Sequence, residues 1–223
     1  MQNHEIIKTE DGSDTLFNLS SGEHYHSIHG AVQESMHVFI DSGFLYSAPS
    51  NTNFNILEVG FGTGLNCLLT CKESISRDVR IFYDAIEPYP ITKAMADKLN
   101  YTGLDGLSAF INEFTMMHSF DDGAVTIGPR FMLHKLKSTL ESIELIPDNF
   151  NLVYFDAFSA EAQPELWKAE IFLKIRKSMV PGGILVTYAA KGIVRRALQQ
   201  SGFTTERLPG PPGKREMLRA TAV

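Results

Sequence analysis

The stretch LEVGFGTGLN, Leu57–Asn66, sets Gly60, Gly62 and Gly64 at alternate positions directly after the apolar run FNILEV. The run reads as a buried strand, and the residues after it, through about Ser74, carry the pattern of a helix. Glycine at a strand-to-helix turn reaches backbone angles that other residues avoid, and it leaves space for a ligand to lie against the main chain. The helix start beyond the turn offers unpaired N–H groups. Such a chain is committed to a strand–turn–helix unit, and so to a mainly parallel sheet covered on both faces.

The remaining sequence continues that alternation. VRIFYDAIE, FNLVYFDAF and ILVTYAA read as strands, AVTIGPRFMLHKL as a strand or hairpin bent at Gly128-Pro129. Helices are expected from Pro90 (PITKAMADKLN), over residues 107–118, over PELWKAEIFLKIRKSM, and over GIVRRALQQ up to Gly202. FTTERL and KREMLRATAV are expected to pair as closing antiparallel strands around PGPPG. Before the glycine turn, Asp11-Gly12 signals a hairpin, and Val32, Met36 and Phe39–Ile40 fall at helical spacing. The expected fold class is α/β, Rossmann-like, with a small β/α extension over residues 1–50 packed on a main domain at 51–223.

In such sheets, ligands bind beyond the carboxyl ends of the strands near a switch point. That rule selects Glu58–Gly64, Glu87, Asp156–Phe158 and Tyr188–Lys191. Two cofactor classes use a glycine turn of this kind. The dinucleotide fingerprint, G-x-G-x-x-G, needs a third glycine where this chain has Leu65. S-adenosylmethionine has no pyrophosphate, and needs a turn that fits a carboxylate, an amine and a sulfonium. Glu87 closes the next strand, where an acidic group can accept hydrogen bonds from both hydroxyls of a cofactor ribose.

The quoted blocks YHSIHGAVQESMHVF, LEVGFGTGLN, AIEPYPIT, YFDAFSAEAQPELW, PGGILVTYAAKGIVRRALQQSGF and PGKREML run through most of the chain. With them it resembles the methyltransferase domain of the bifunctional MnmC tRNA-modification family and its stand-alone relatives. The resemblance implies an S-adenosylmethionine-dependent methyltransferase that methylates the aminomethyl group at C5 of a tRNA wobble uridine. The family's oxidase domain, which uses FAD, has no counterpart in these 223 residues, so a separate FAD-dependent oxidase partner is an expectation. By the same resemblance Gly60, Phe61, Gly62, Gly64 and Asn66 line the methionine half of the cofactor, with Glu58 positioning the turn or meeting the amine. Glu87 holds the ribose, Asp156 orients the acceptor amine, and Tyr25 and Phe158 serve the substrate. Two departures stand out. Leu136-Lys137 occupies the place of a glycine-aspartate pair whose acid meets adenine in the family, and lysine cannot accept that hydrogen bond. Ala162 and Gln163 replace the lysine or asparagine that often precedes the retained Pro164 and Trp167.

Charge bears on the substrate. The total is −6, yet from Lys191 onward seven basic residues face two acidic ones, a local +5. Lys191, Arg195, Arg196, Lys214 and Arg215 are therefore candidates to grip phosphates. The rivals to a tRNA methyltransferase are a methyltransferase for a small amine or metabolite and a non-catalytic subunit of the same fold that binds RNA or a partner. Cys67 and Cys71 share a helix face and read as small buried side chains. His24, His26 and His29 lack the spacing of a zinc helix, so no metal is expected. The polar N-terminus and the absence of an apolar run of about 18 residues lead to a cytoplasmic expectation with no membrane span, and leave the oligomeric state open.

Overall fold

The computed structural model describes residues 4–48 and 52–223. Strands β1 (His4–Lys8), β2 (Asp14–Asn18) and β3 (Glu23–His24) form a small antiparallel sheet, with the Asp11-Gly12 turn between β1 and β2. Helix α1 (Ala31–Ser35) runs on through a π-helical stretch, Met36–Phe44, into α2 (Leu45–Ser47). A plain α-helix is what the spacing predicts here. The wider turns instead seat Val38, Phe39, Ile40 and Phe44 in the core. Gly43 comes so close to the main sheet that a Cβ there would lie 3.0 Å from Val186 and 3.3 Å from Tyr154.

The main sheet is built from β4 (Asn53–Val59), β5 (Arg80–Ile86), β6 (Gly123–Thr126), β7 (Phe131–Leu136), β8 (Phe150–Phe155), β9 (Met179–Thr187), β10 (Phe203–Pro209) and β11 (Glu216–Ala222). Its order is β10-β11-β9-β8-β4-β5-β7-β6. The five strands from β9 to β7 are parallel, while β10, β11 and β6 pair antiparallel at the two sides. The chain proceeds from β4 outward through β5 and β7, then returns to the other flank of β4 as β8. The switch point therefore lies where β4 and β8 end, at Val59 and Phe155.

The helices between strands are α3 (Leu65–Arg77), α4 (Lys93–Ala96), α5 (Ile111–Met117), α6 (Ala169–Ser178) and α7 (Gly192–Gln200). Alternate residues of each strand feed two cores. Ile56, Tyr83, Tyr154 and Val186 face α3 and the π-helical stretch, while Leu57, Val153, Phe155 and Leu185 face α6 and α7. Helix α4 starts later than Pro90 predicts, because Thr92 caps it by accepting the Met95 N–H at 3.2 Å. The helix expected from Pro164 breaks at Lys168, which is extended. Trp167 turns inward there, and its indole N–H donates to the Phe158 carbonyl at 2.8 Å.

The small sheet is clamped to the main body by a reciprocal pair of bonds. The Asp14 N–H donates to Asn100 Oδ1 at 2.9 Å, and the Asn100 N–H donates to Asp14 Oδ2 at 3.0 Å. The Asn100 amide also donates to the Gly12 carbonyl at 2.8 Å. Replacing Asn100 with Ala removes two of these three bonds. Its expected cost is about 2 kcal/mol in urea unfolding, with the largest loss of amide-exchange protection in β1 and β2.

Candidate active site

The turn after β4 is held in register by main-chain bonds that extend the ladder. The Gly60 N–H donates to the Ile86 carbonyl at 3.0 Å, and the Asp156 N–H donates to the Val59 carbonyl at 2.9 Å. Gly60 adopts φ +90, and a Cβ on it would stand 2.5 Å from the Asp156 carbonyl oxygen. Gly62, at φ +50, lies beneath the Tyr25 ring, which a Cβ would approach to 2.9 Å. Both are positions that only glycine fills without displacing main chain or ring. Gly64 then starts α3. Phe61 is 3 % exposed; the Lys135 ammonium lies 4.8 Å from its ring centroid.

A cavity of about 800 Å³ opens over this turn. Gly60, Phe61, Gly62, Glu87, Asp156, Tyr25, Phe158 and Lys214 all line it. Among the described residues, Glu58, Gly64, Asn66, Lys191, Arg195, Arg196 and Arg215 do not. Glu58 and Asn66 lie directly under the floor, fully or almost fully buried.

Glu87 has each carboxyl oxygen fixed by one main-chain N–H. Oε2 accepts from Gly62 at 3.1 Å and Oε1 from Tyr89 at 2.9 Å. Burial pushes its pKa up, against the pull of those two donors. Lone pairs remain on both oxygens to accept from a diol in the cavity. The bare turn, the N-terminus of α3 and this carboxylate fit the methionine and ribose portions of S-adenosylmethionine. Lys137 takes no part: its ammonium pairs with Asp121 at 2.9 Å and its N–H donates to Asp122. The cavity wall nearby is Thr139, Leu140 and Glu141 instead.

Asp156 directly follows β8 and lines the cavity. Its Oδ2 accepts from the Asn66 amide at 2.8 Å. The carboxyl reaches the cavity but is otherwise enclosed by protein, and desolvation pushes its pKa up to about 8. Glu34 pushes the same way, while Asn66 and Lys214 oppose. Above the floor, Tyr25 and Phe158 meet edge to face, with centroids 5.1 Å apart. The His4 ring nitrogen and the Tyr25 hydroxyl are hydrogen-bonded at 3.0 Å, and the Ser159 hydroxyl donates to Glu23 at 2.8 Å. These contacts join the small N-terminal sheet to the loop after β8.

The basic residues divide. Lys214 turns inward, pairs with the buried Glu34 at 2.5 Å and lies 3.8 Å from the Tyr188 ring centroid. Lys191 is paired with Glu161 at the surface. Arg195 is half-buried, and Arg196 and Arg215 are exposed. The three histidines diverge. His26 shares a hydrogen bond of 2.7 Å with Thr63, His29 faces Glu10 at 3.1 Å, and His24 packs against Phe17. Burial lowers the His26 pKa to about 4, so it is neutral near pH 7. Sequence reasoning missed Glu23, Glu34 and Ser159 as lining residues. Glu34 and Ser159 fall within quoted blocks that give them no role, Glu23 falls outside them, and only folding brings the three to the cavity that Asp156 lines.

Comparisons with known proteins agree with this geometry. Residues 116–223 match the family described as S-adenosyl-L-methionine-dependent methyltransferase. The tRNA 5-methylaminomethyl-2-thiouridine biosynthesis bifunctional protein MnmC of Cupriavidus metallidurans is 32 % identical over 96 % of this chain and 33 % of its own length. The protein of the same name from Idiomarina loihiensis is 29 % identical over 87 % of the chain and 34 % of its own length. The crystal structure of MnmC2 from Aquifex aeolicus superposes with a TM-score of 0.81 at 26 % identity, covering 100 % of this chain and 71 % of that one. The chain spans about a third of the length of the curated relatives it matches. Fold, turn and comparisons together define an S-adenosylmethionine-dependent methyltransferase. Within that class the chain is similar to the methyltransferase part of the MnmC proteins.

Two predictions follow from the floor of the cavity. Gly60→Ala is expected to weaken S-adenosylmethionine binding by about 100-fold or more in calorimetry, because the methyl forces β4 and β8 apart at the switch point. Asp156→Asn is expected to stabilise the free protein. The folded-state pKa is raised, so the folded protein holds a proton that the unfolded chain releases above about pH 4. The contribution of this group is fully present below about pH 4 and is lost as pH rises to about 8. The variant escapes that loss. Its melting temperature should exceed the native one by about 2–4 °C at pH 8–9, with the gap closing toward pH 4.

Proposed function

We propose that this protein methylates the aminomethyl group at C5 of the tRNA wobble uridine, in the cytoplasm. The observation that carries the reading is the position of Asp156. It lines the same cavity as the glycine turn, Glu87 and the Tyr25–Phe158 pair. S-adenosylmethionine supplies an activated methyl when bound. Gly60, Phe61 and Gly62 receive its methionine end, with Gly64 shaping the turn behind them, and Glu87 receives its ribose.

The protein's own residues do the rest. Phe158 and Tyr25 give the pyrimidine an aromatic wall, a common platform for a splayed-out base. Asp156 accepts a hydrogen bond from the acceptor amine and aims its lone pair; holding reactants in line is worth several orders of magnitude in rate. A group near pH 8 is matched to taking the amine's proton. Carboxylates of Glu23, Glu34, Glu87, Glu141, Asp156 and Glu165 line the cavity, and the ammonium of Lys214 among them is already paired with Glu34. That lining suits a cationic amine. Lys191, Arg195, Arg196 and Arg215 contact phosphates outside it, with Lys191 leaving Glu161 to do so. An FAD-dependent oxidase, in this chain's assembly or apart from it, furnishes the free amine.

The test is mass spectrometry of wobble nucleosides, after incubating the protein and S-adenosylmethionine with tRNA from cells lacking it. Methylated aminomethyl-uridine should appear, and Asp156→Asn should cut its rate at least 100-fold. Methyl transfer to free small amines but not to tRNA would replace this reading with the small-amine alternative.

A further inference from the structure

Asn66 is the second residue of α3 and is 2 % exposed. It is not among the residues that line the cavity. Its amide nitrogen instead donates to two carboxyl groups, Glu58 Oε1 at 3.0 Å and Asp156 Oδ2 at 2.8 Å. Both N–H bonds of the amide are thereby spent on acids. The other oxygens of this cluster, Asn66 Oδ1 and Glu58 Oε2, are buried with no partner. A side chain that leaves its own oxygen unsatisfied to reach two carboxyls is held there by them.

The consequence falls on Asp156. One oxygen is tied inward to Asn66, which leaves the other for the cavity. Asn66 is the one side-chain donor to this carboxyl among the described residues. The charged and titratable groups that face Asp156 come from four elements: Glu58 from β4, Glu34 from α1, Lys214 from the β10–β11 hairpin and Tyr188 after β9. Glu34 and Lys214 are paired with one another, and the Tyr188 hydroxyl donates to the Ala157 carbonyl at 2.9 Å. Glu58 is sealed in the core, and burial holds its own pKa well above the usual carboxylate range. The donor that favours the carboxylate form by direct contact is Asn66.

We propose that Asn66 is a positioning residue. Its hydrogen bond to Oδ2 turns the outer oxygen of Asp156 toward the acceptor amine and keeps that carboxyl basic. The inference rests on the reading of Asp156 as the group that meets the amine.

The test combines three measurements on Asn66→Ala and Asn66→Asp. The first is kcat/KM for tRNA methylation from pH 6 to 10. The second is calorimetric binding of S-adenosylhomocysteine. The third is melting temperature against pH, which follows the titration of Asp156 without any substrate. Asn66→Ala should lose up to about 10-fold in activity at pH 7 and regain most of it by pH 9.5, since its acid limb moves up by about one pH unit. S-adenosylhomocysteine affinity should stay within about threefold. In Asn66→Asp the limb should move further, because a carboxylate replaces the donor. The melting transition of each variant should shift along pH in the same sense, and Asp156→Asn should abolish the shift. A loss of activity equal at every pH, or a loss of S-adenosylhomocysteine affinity that parallels it, would overturn the proposal. A native protein inactive on tRNA whose melting curves still shift would instead sink the Asp156 reading and leave the Asn66–Asp156 coupling standing.

Discussion

The close approach of Gly60 to the Asp156 carbonyl is the contact on which the site depends. Strands β4 and β8 run side by side and end together, and the chain must leave β4 sideways at that point. It does so with main chain pressed against main chain at a separation that no side chain tolerates. The glycine turn, the start of α3 and the carboxyl of Asp156 are then fixed relative to one another by strand pairing. A site built on sheet register is more precise than one carried on a free loop.

The electrostatics follow from the same crowding. Glu58 and Asp156 stand on adjacent strands, both little hydrated, with the Asn66 amide between them. Desolvation raises the proton affinity of both, Asp156 adds to the rise at Glu58, and the Asn66 donor between them opposes it at each. An acid held near neutrality can exchange a proton with an amine, and it costs stability to keep in its charged form. The instability and the chemistry therefore have one origin, the desolvation of a carboxyl at the bottom of a cavity.

Much of this was legible in one dimension. The strands β4, β5, β8 and β9, the closing hairpin and the glycine turn all announce themselves through apolar runs and glycine placement. Glu87 and Asp156 are legible because strand ends are where such sheets bind ligands. The errors are local. The helix after Pro90 begins at Thr92's cap, and the helix through Trp167 breaks because the indole is needed to hold the Phe158 carbonyl. The π-helical turns of residues 36–44 leave no mark in the spacing, since they answer to the surface of the sheet beneath.

The sequence by itself determined a parallel α/β sheet, a ligand turn at Gly60–Gly64 and two acids at strand ends, because these rest on backbone sterics and hydrophobic period. Tertiary structure alone decided that Glu34 and Lys214 meet across 180 residues of chain, that Asn66 faces two carboxyls rather than the cavity, and that Tyr25 roofs Gly62. Those relations depend on the packing of the small N-terminal sheet and the last hairpin over the switch point. Packing between distant segments leaves no periodic trace in a sequence.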